Sequence, residues 1–275
     1  MDNNEEKYYL PDKDSVFSDK KCPEKWYGNL LLETSQDDYP EWMSKLLHDT
    51  RNYYGKYFSK KSREFFLHHF AGNLTKTLDY FYGSQKKDLR FLEIGCGCGN
   101  QVLLMALLGA NVVGCDIRED VCALVEKRKQ FYEKIIEREL NLKIMCRDIM
   151  KINTDELDKF DAINFLFAFN DIKPNEKLLE LVGKLLKPGG RLVLQETNPG
   201  NYYNRIFRRR NALSPYKIAR ILKKHGFKIS SLKGGYALPP AFWRFIPGNI
   251  LSVVDSFLCR SLFLSVSYRL MAEKM

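Results

Sequence analysis

The feature that most constrains this chain is a short apolar segment running straight into a glycine-rich turn. Arg90-Phe91-Leu92-Glu93-Ile94 has the make-up of a buried strand and leads into Gly95-Cys96-Gly97-Cys98-Gly99. A helical pattern with Val102, Leu103, Leu104, Leu107 and Leu108 follows. Strand, glycine turn and helix form a nucleotide-binding geometry, because glycines tolerate positive φ and let a ligand approach the backbone at a helix N-terminus. A tight connection with no ligand has the same local pattern, so the rest of the chain must decide between them.

The same rhythm continues downstream. Residues 112–116, 142–146, 160–165, 191–195, 227–229 and 267–272 read as strands. Residues 119–140, 174–185 and 215–225 read as helices, the first with Val121, Leu124, Val125, Ile135 and Ile136 on one side. Pro174 and Ser214-Pro215 open helices, Gly226 ends one, and Pro188-Gly189-Gly190 turns into the fifth strand. Strands alternating with helices predict an α/β fold, with a mostly parallel sheet covered on both faces. Upstream, the pattern turns helical over residues 40–82, where Phe65, Phe66, His69 and Leu74 recur at turn-like spacing. Residues 1–38 show no period and read as a loosely structured arm or lid. The expected organisation is an arm and helical lid region over 1–83, then a ligand-binding domain over 84–275 with a helical insertion at about 236–265.

Bulk properties narrow the setting. No run of about 18 apolar residues exists, so no membrane-spanning helix is expected. Residues 1–10 are acidic and polar, unlike a signal peptide. Seven cysteines at irregular spacing suit a reduced, cytoplasmic protein better than a disulfide framework. Charge is unevenly spread. Residues 201–275 hold fourteen Lys and Arg against Asp255 and Glu273 alone, a surplus of twelve, whereas the whole chain carries +10. That surplus suits an anionic substrate, a lipid surface or nucleic acid, or a merely solvated basic face.

Acids stand at successive strand ends. Asp116 closes the second strand, where a carboxylate accepts hydrogen bonds from ribose hydroxyls. Asp148 follows the third, where a carboxylate can meet an adenine amino group. A helix N-cap is the structural alternative for either. The glycine turn and these two acids, in order at consecutive strand ends, mark the carboxyl edge of an open sheet, where ligands bind.

Together these residues carry a family resemblance. Leu92-Glu93-Ile94-Gly95-Cys96-Gly97-Cys98-Gly99-Asn100 resembles the first motif of class I S-adenosylmethionine-dependent methyltransferases. Gly114-Cys115-Asp116 is similar to the second, Cys146-Arg147-Asp148-Ile149 to the third and Phe160-Asp161-Ala162-Ile163 to the fourth. Leu185-Leu186-Lys187-Pro188-Gly189-Gly190-Arg191-Leu192 is similar to the segment entering the fifth strand. The match runs over about 89–227 and resumes at the last strand. It implies a Rossmann-like seven-stranded sheet with helices on both faces and an antiparallel last strand. It implies S-adenosylmethionine as cofactor. Glu93 would hold its methionine end, Gly95 and Gly97 would line it, and Asp116 would hold the ribose. Asp148 and Ile149 would frame the adenine, Phe165 would lie beside the cofactor after the fourth strand, and Cys96, Gly99 and Ile117 would complete the site. A nicotinamide-dependent oxidoreductase shares the layout, but its fingerprint is Gly-x-Gly-x-x-Gly; the spacing here is Gly-x-Gly-x-Gly, two residues after Glu93.

Departures from the family pattern bear on the acceptor. The Glu-His that many small-molecule members carry after the fourth strand is replaced by Asn170-Asp171. Asn164-Phe165-Leu166-Phe167 stands where amino-group methyltransferases carry Asn/Asp-Pro-Pro-Tyr, and the Pro-Cys of cytosine C5 enzymes is absent. These departures argue against nucleobase or glutamine amino groups and cytosine C5 as targets. Candidate bases are Asp171, His225 and His69, the last two also readable as a helix C-terminal residue and a packed core residue. Cys96 and Cys98 lack the partners a metal site needs, so no metal is expected. The expected acceptor is a small molecule, lipid-like or anionic. An RNA acceptor, for which no RNA-binding module is visible, and a non-catalytic binding subunit are the alternatives. Tyr202, Tyr203, Arg205, Phe207 and Arg208-Arg209-Arg210 form a loop after the fifth strand suited to gripping an anionic or aromatic acceptor, or to simple solvation. The apolar series over 236–265 fits amphipathic helices. They would either pack on the sheet edge and close the pocket, or form an apolar lid over the acceptor whose surrounding Arg and Lys attract an anionic headgroup, phosphate or membrane.

Overall fold

The computed structural model describes residues 8–11, 21–33, 39–49, 63–83, 89–154, 157–208, 212–243 and 245–275. Seven strands form one sheet in the order β3-β2-β1-β4-β5-β7-β6. They are β1 (Arg90–Ile94), β2 (Asn111–Asp116), β3 (Leu142–Cys146), β4 (Phe160–Leu166), β5 (Leu186–Thr197), β6 (Phe227–Gly234) and β7 (Ser267–Lys274). The first five pair in parallel, and β7 runs antiparallel to both β5 and β6. The chain moves from β1 outward to β3 and then returns to β4 on the other side of β1. That reversal opens a crevice beyond the carboxyl ends of β1 and β4, the natural ligand site of such a sheet.

Among the described residues the helices are α1 (Cys22–Glu33), α2 (Glu41–His48), α3 (Arg63–Tyr82), α4 (Asn100–Leu107), α5 (Glu119–Ile136), α6 (Asn175–Leu185), α7 (Pro215–Lys224), α8 (Pro240–Trp243) and α9 (Gly248–Leu258). Apolar cores cover both sheet faces. One holds Val112, Val193 and Met271 with α1, α3 and α4; the other holds Leu92, Ile163, Leu194 and Leu270 with α6 and α7. The strand alternation of side chains produces this division.

Most expected elements lie within a few residues of their predicted bounds. The helix expected over 119–140 ends earlier, at Ile136, because Glu137 adopts a left-handed φ of 52° and stops it. β6 extends to Gly234 rather than 229, because β7 supplies pairing as far as Tyr268. Ser214 caps α7 by accepting from the Lys217 amide at 3.2 Å.

The arm reading of residues 1–38 needs correction. Within it α1 is a helix whose Trp26, Tyr27 and Leu30 are fully buried. Trp26 Nε1 donates to the Asn100 carbonyl at 3.1 Å. Glu33 closes a buried ion pair with Arg128 of α5, whose Nη2 lies 2.9 Å from Glu33 Oε1. Arg128 also donates to the Cys98 carbonyl and to Asn100 Oδ1, and the Tyr132 hydroxyl donates to Glu33. Contacts 95 residues apart in sequence leave no local period, so the helix was invisible to pattern reading. They also brace the back of the glycine turn.

Candidate active site

A cleft of about 700 Å³ opens at the carboxyl ends of β1, β2 and β4. Two sets of residues line it. Strand ends and the turns after them supply Glu93, Gly95, Cys96, Gly97, Asp116, Ile117, Asp148 and Ile149. Helices and loops supply Phe66, Phe70, Phe167, Asp171, Tyr236 and Trp243, and the end of β5 supplies Thr197.

Glu93 is buried on β1, and Asn164 of the neighbouring β4 donates to its Oε1 at 2.8 Å. Among the described residues its Oε2 has no hydrogen-bond partner within normal geometry. Burial pushes its pKa up to about 8, with Asp116 acting in the same direction and the Asn164 donation opposing. Asp116 Oδ2 accepts from the Gly97 amide at 2.9 Å, and Oδ1 from the Arg118 amide at 3.1 Å. The acid thus ties the glycine turn to the end of β2. At Gly97, with φ 49°, a Cβ would meet nothing within 4 Å, so the backbone there lies bare to the cleft. Asp148 caps the single helical turn Ile149–Lys151, its Oδ1 accepting from the Met150 amide at 2.9 Å. The capping alternative therefore holds for Asp148, while its residue still lines the cleft. Ile117 is 68% exposed beside Asp116, an apolar surface available to a planar ring.

Two expected cofactor residues are placed elsewhere. Gly99 does not line the cleft; a Cβ on it would lie 2.6 Å from Val125, so its task is to let α4 start against α5. Phe165 points into the opposite core, packed edge-on to Phe169 at 5.6 Å. The alternation of β4 puts Leu166 at the cleft instead, followed by Phe167. Phe167 has φ 57°, a left-handed backbone that is costly for a bulky residue. No sequence signal announced it.

Of the three candidate bases, Asp171 alone lines the cleft. Buried Glu196 fixes the turn that carries it, accepting from the Asn170 amide at 3.2 Å and Nδ2 at 3.0 Å. His69 stands behind the aromatic wall, against Asn73 at 2.8 Å and stacked on Phe65. Asn73 in turn accepts from buried Arg269 at 2.6 Å, so this histidine belongs to the packing. His225 is the exposed C-cap of α7 and does not line the cleft. Cys96 and Cys98 are free, buried thiols, and burial pushes Cys98 up to about 12. Among the described residues no group of three or more metal-ligating side chains exists. Arg209 and Arg210, and the side chains of Phe207 and Arg208, lie outside the described residues.

The sequence offered Phe66 on a helical pattern and Trp243 in a segment expected to close the pocket or cover it, but not their meeting in one aromatic wall. Phe66 and Phe70 come from α3, and Tyr236 and Trp243 from the segment between β6 and β7. Phe65, Phe66 and Tyr236 pack around Trp243 with ring centroids 4.6, 6.4 and 5.3 Å away. Only the fold brings residues so distant in sequence together.

A methyltransferase-domain family model matches residues 66–232, more than half of the chain. The chain belongs to the methyltransferase-domain family. It is 30% identical over 112 residues to a ubiquinone biosynthesis O-methyltransferase of Coxiella burnetii, covering 41% of this chain and 45% of that protein. It is 28% identical over 117 residues to a demethylmenaquinone methyltransferase of Thermus thermophilus, covering 42% and 50%. The matches thus span about half the length of these curated relatives. Magnesium protoporphyrin IX methyltransferase from Synechocystis, solved with S-adenosylhomocysteine bound, shares the fold with a TM-score of 0.53 at 14% identity, over 96% of this chain and 100% of that one. The fold is the Rossmann-like one expected, and S-adenosylmethionine is the cofactor that the sequence resemblance implies for the matched domain. The residues present fit that molecule. Among the described residues, a buried carboxylate oxygen without a partner, a glycine backbone with open space beside it and a carboxylate at the end of β2 share one cleft.

Proposed function

We propose that this chain transfers a methyl group from S-adenosylmethionine to a small, largely apolar and ring-bearing acceptor. The observation that carries the reading is the joining of the strand-end residues to the aromatic wall in one cleft. Glu93 would hold the cationic methionine end, Asp116 the ribose, and Ile117, Asp148 and Ile149 the adenine. When bound, the sulfonium supplies a methyl group that is already strongly electrophilic. The chain's own residues then orient the acceptor and exclude water. Phe66, Phe70, Phe167, Tyr236 and Trp243 suit a flat, apolar ring. Asp171, which lines the same cleft, would take the proton of a hydroxyl acceptor. The names of the quinone-pathway relatives agree with such an acceptor.

The test has two arms. Calorimetry should show binding of S-adenosylhomocysteine and none of NAD. Incubation with labelled S-adenosylmethionine and a panel of phenols and hydroquinones should yield labelled methyl ethers or ring-methylated products. Binding of NAD alone would overturn the cofactor assignment. Labelling of RNA but of no ring compound would overturn the acceptor class.

A further inference from the structure

The segment between β6 and β7 has its polarity reversed. On α9 the acid faces inward: Asp255 is buried and accepts from the Ala237 amide at 2.7 Å and the Leu238 amide at 3.2 Å. Leu251 is buried beside it, but four other apolar residues face outward, with Val253 70% and Phe257 67% exposed and Ile250 and Val254 beside them on the helix. Phe263, also 67% exposed, and Leu264 follow. Asn201 ties a second short segment to this one by donating to the Leu264 carbonyl at 2.9 Å, and that segment exposes Tyr202 and Ile206. Scattered exposed apolar residues are ordinary, but a contiguous series of this kind marks an interaction surface.

Charge identifies its occupant. Arg260 is exposed, with its guanidinium 5.7 Å from the Phe257 ring centroid, and Arg205 is exposed between Tyr202 and Ile206. Residues 201–275 contain two acids, Asp255 and Glu273. Asp255 is turned inward, and Glu273 pairs in the sheet opposite Arg191 and Lys228. The surface therefore combines outward apolar side chains with arginines and lacks exposed acids of its own segments. Interfacial helices gain from both parts of that combination, burying apolar area while drawing on anionic headgroups.

We propose that α9 and the loops flanking it seat this protein on an anionic phospholipid bilayer. The same segment supplies Tyr236 and Trp243 to the cleft wall. Docking would therefore place the element that contacts lipid directly behind the acceptor site, where a lipid-dissolved acceptor could be received. The inference does not rest on the proposed reaction, since bilayer binding requires no turnover.

The test is vesicle flotation of the full chain, with vesicles of phosphatidylcholine alone or mixed equally with phosphatidylglycerol. Binding should favour the anionic vesicles and weaken from about 10 to about 150 mM salt, as the screening length falls from about 30 to about 8 Å. Val253→Asp with Phe257→Asp should weaken binding about tenfold or more. Arg205→Gln with Arg260→Gln should weaken it less and flatten its salt dependence. Both variants should bind S-adenosylhomocysteine with wild-type affinity, showing that the cleft is intact. Absence of flotation at low salt would overturn the proposal. So would a concentration-dependent dimer abolished by Val253→Asp with Phe257→Asp, which would make the face a contact between two copies, or RNA binding that displaces vesicles from the arginines.

Discussion

Glu93 offers the sharpest prediction. With a pKa raised to about 8, the free protein holds this carboxyl about nine-tenths protonated at pH 7. Because the folded value lies above the ordinary one, its contribution to folding is fully present below about pH 4.5 and is lost as pH rises toward 8. Ligand binding has the opposite sign. A bound ammonium favours the carboxylate, so binding at pH 7 should release close to one proton, and affinity should tighten about tenfold per pH unit up to about 8, then level off. Glu93→Gln removes the charge while keeping an oxygen able to accept from Asn164. Loss of a charge-assisted contact worth about 1.5–3 kcal/mol predicts about 10- to 150-fold weaker binding above pH 8. The pH dependence should vanish with it. The assay is calorimetric titration with S-adenosylhomocysteine between pH 6 and 9, repeated in buffers of different ionisation enthalpy to count protons. Wild-type binding with no proton release and no pH dependence over pH 6–8 would refute the reasoning.

Further outcomes follow from neighbouring residues. Asp116→Ala should weaken cofactor binding about 10- to 100-fold and lower the thermal transition, because the Gly97 and Arg118 amides lose their acceptor; equal affinity would reduce Asp116 to a brace for Gly97. Glu33→Gln strands Arg128 in the core without its counter-charge. Urea denaturation should then show a loss of about 3–5 kcal/mol, and a loss within error would mean the pair is dispensable. If Asp171 takes a proton, Asp171→Asn should lower kcat by about 10²-fold or more with an unchanged cofactor Kd. Wild-type turnover would remove it from the chemistry.

The strand-end side of the cleft was largely legible because its signals are local. A glycine turn after a strand and acids at successive strand ends report directly on the sheet's carboxyl edge, and Glu93, Gly97, Asp116 and Asp148 all line one cleft. Two expectations failed at finer grain. Phe165 and Leu166 differ only in which side of β4 they face, and Gly99 answers to Val125, a contact that spacing cannot reveal. The joining of the aromatic side of the cleft was not legible. Phe66 and Trp243 meet across the fold, and α1 is held by Glu33 and Arg128, whose pairing depends on burial rather than on any sequence period. His69, prominent in the sequence as one of four histidines, proves to be held in the packing.

The central claim is methyl transfer to a small apolar acceptor, and a labelled-methyl assay on fractionated cell extract tests it most directly. Purified protein is incubated with extract and S-adenosylmethionine labelled at the methyl group, and counts are measured in solvent-soluble small molecules, RNA and protein. The account predicts label in the solvent-soluble fraction, strongly reduced with Asp116→Ala. Label confined to RNA or protein, or label in no fraction while the cofactor binds, would contradict it.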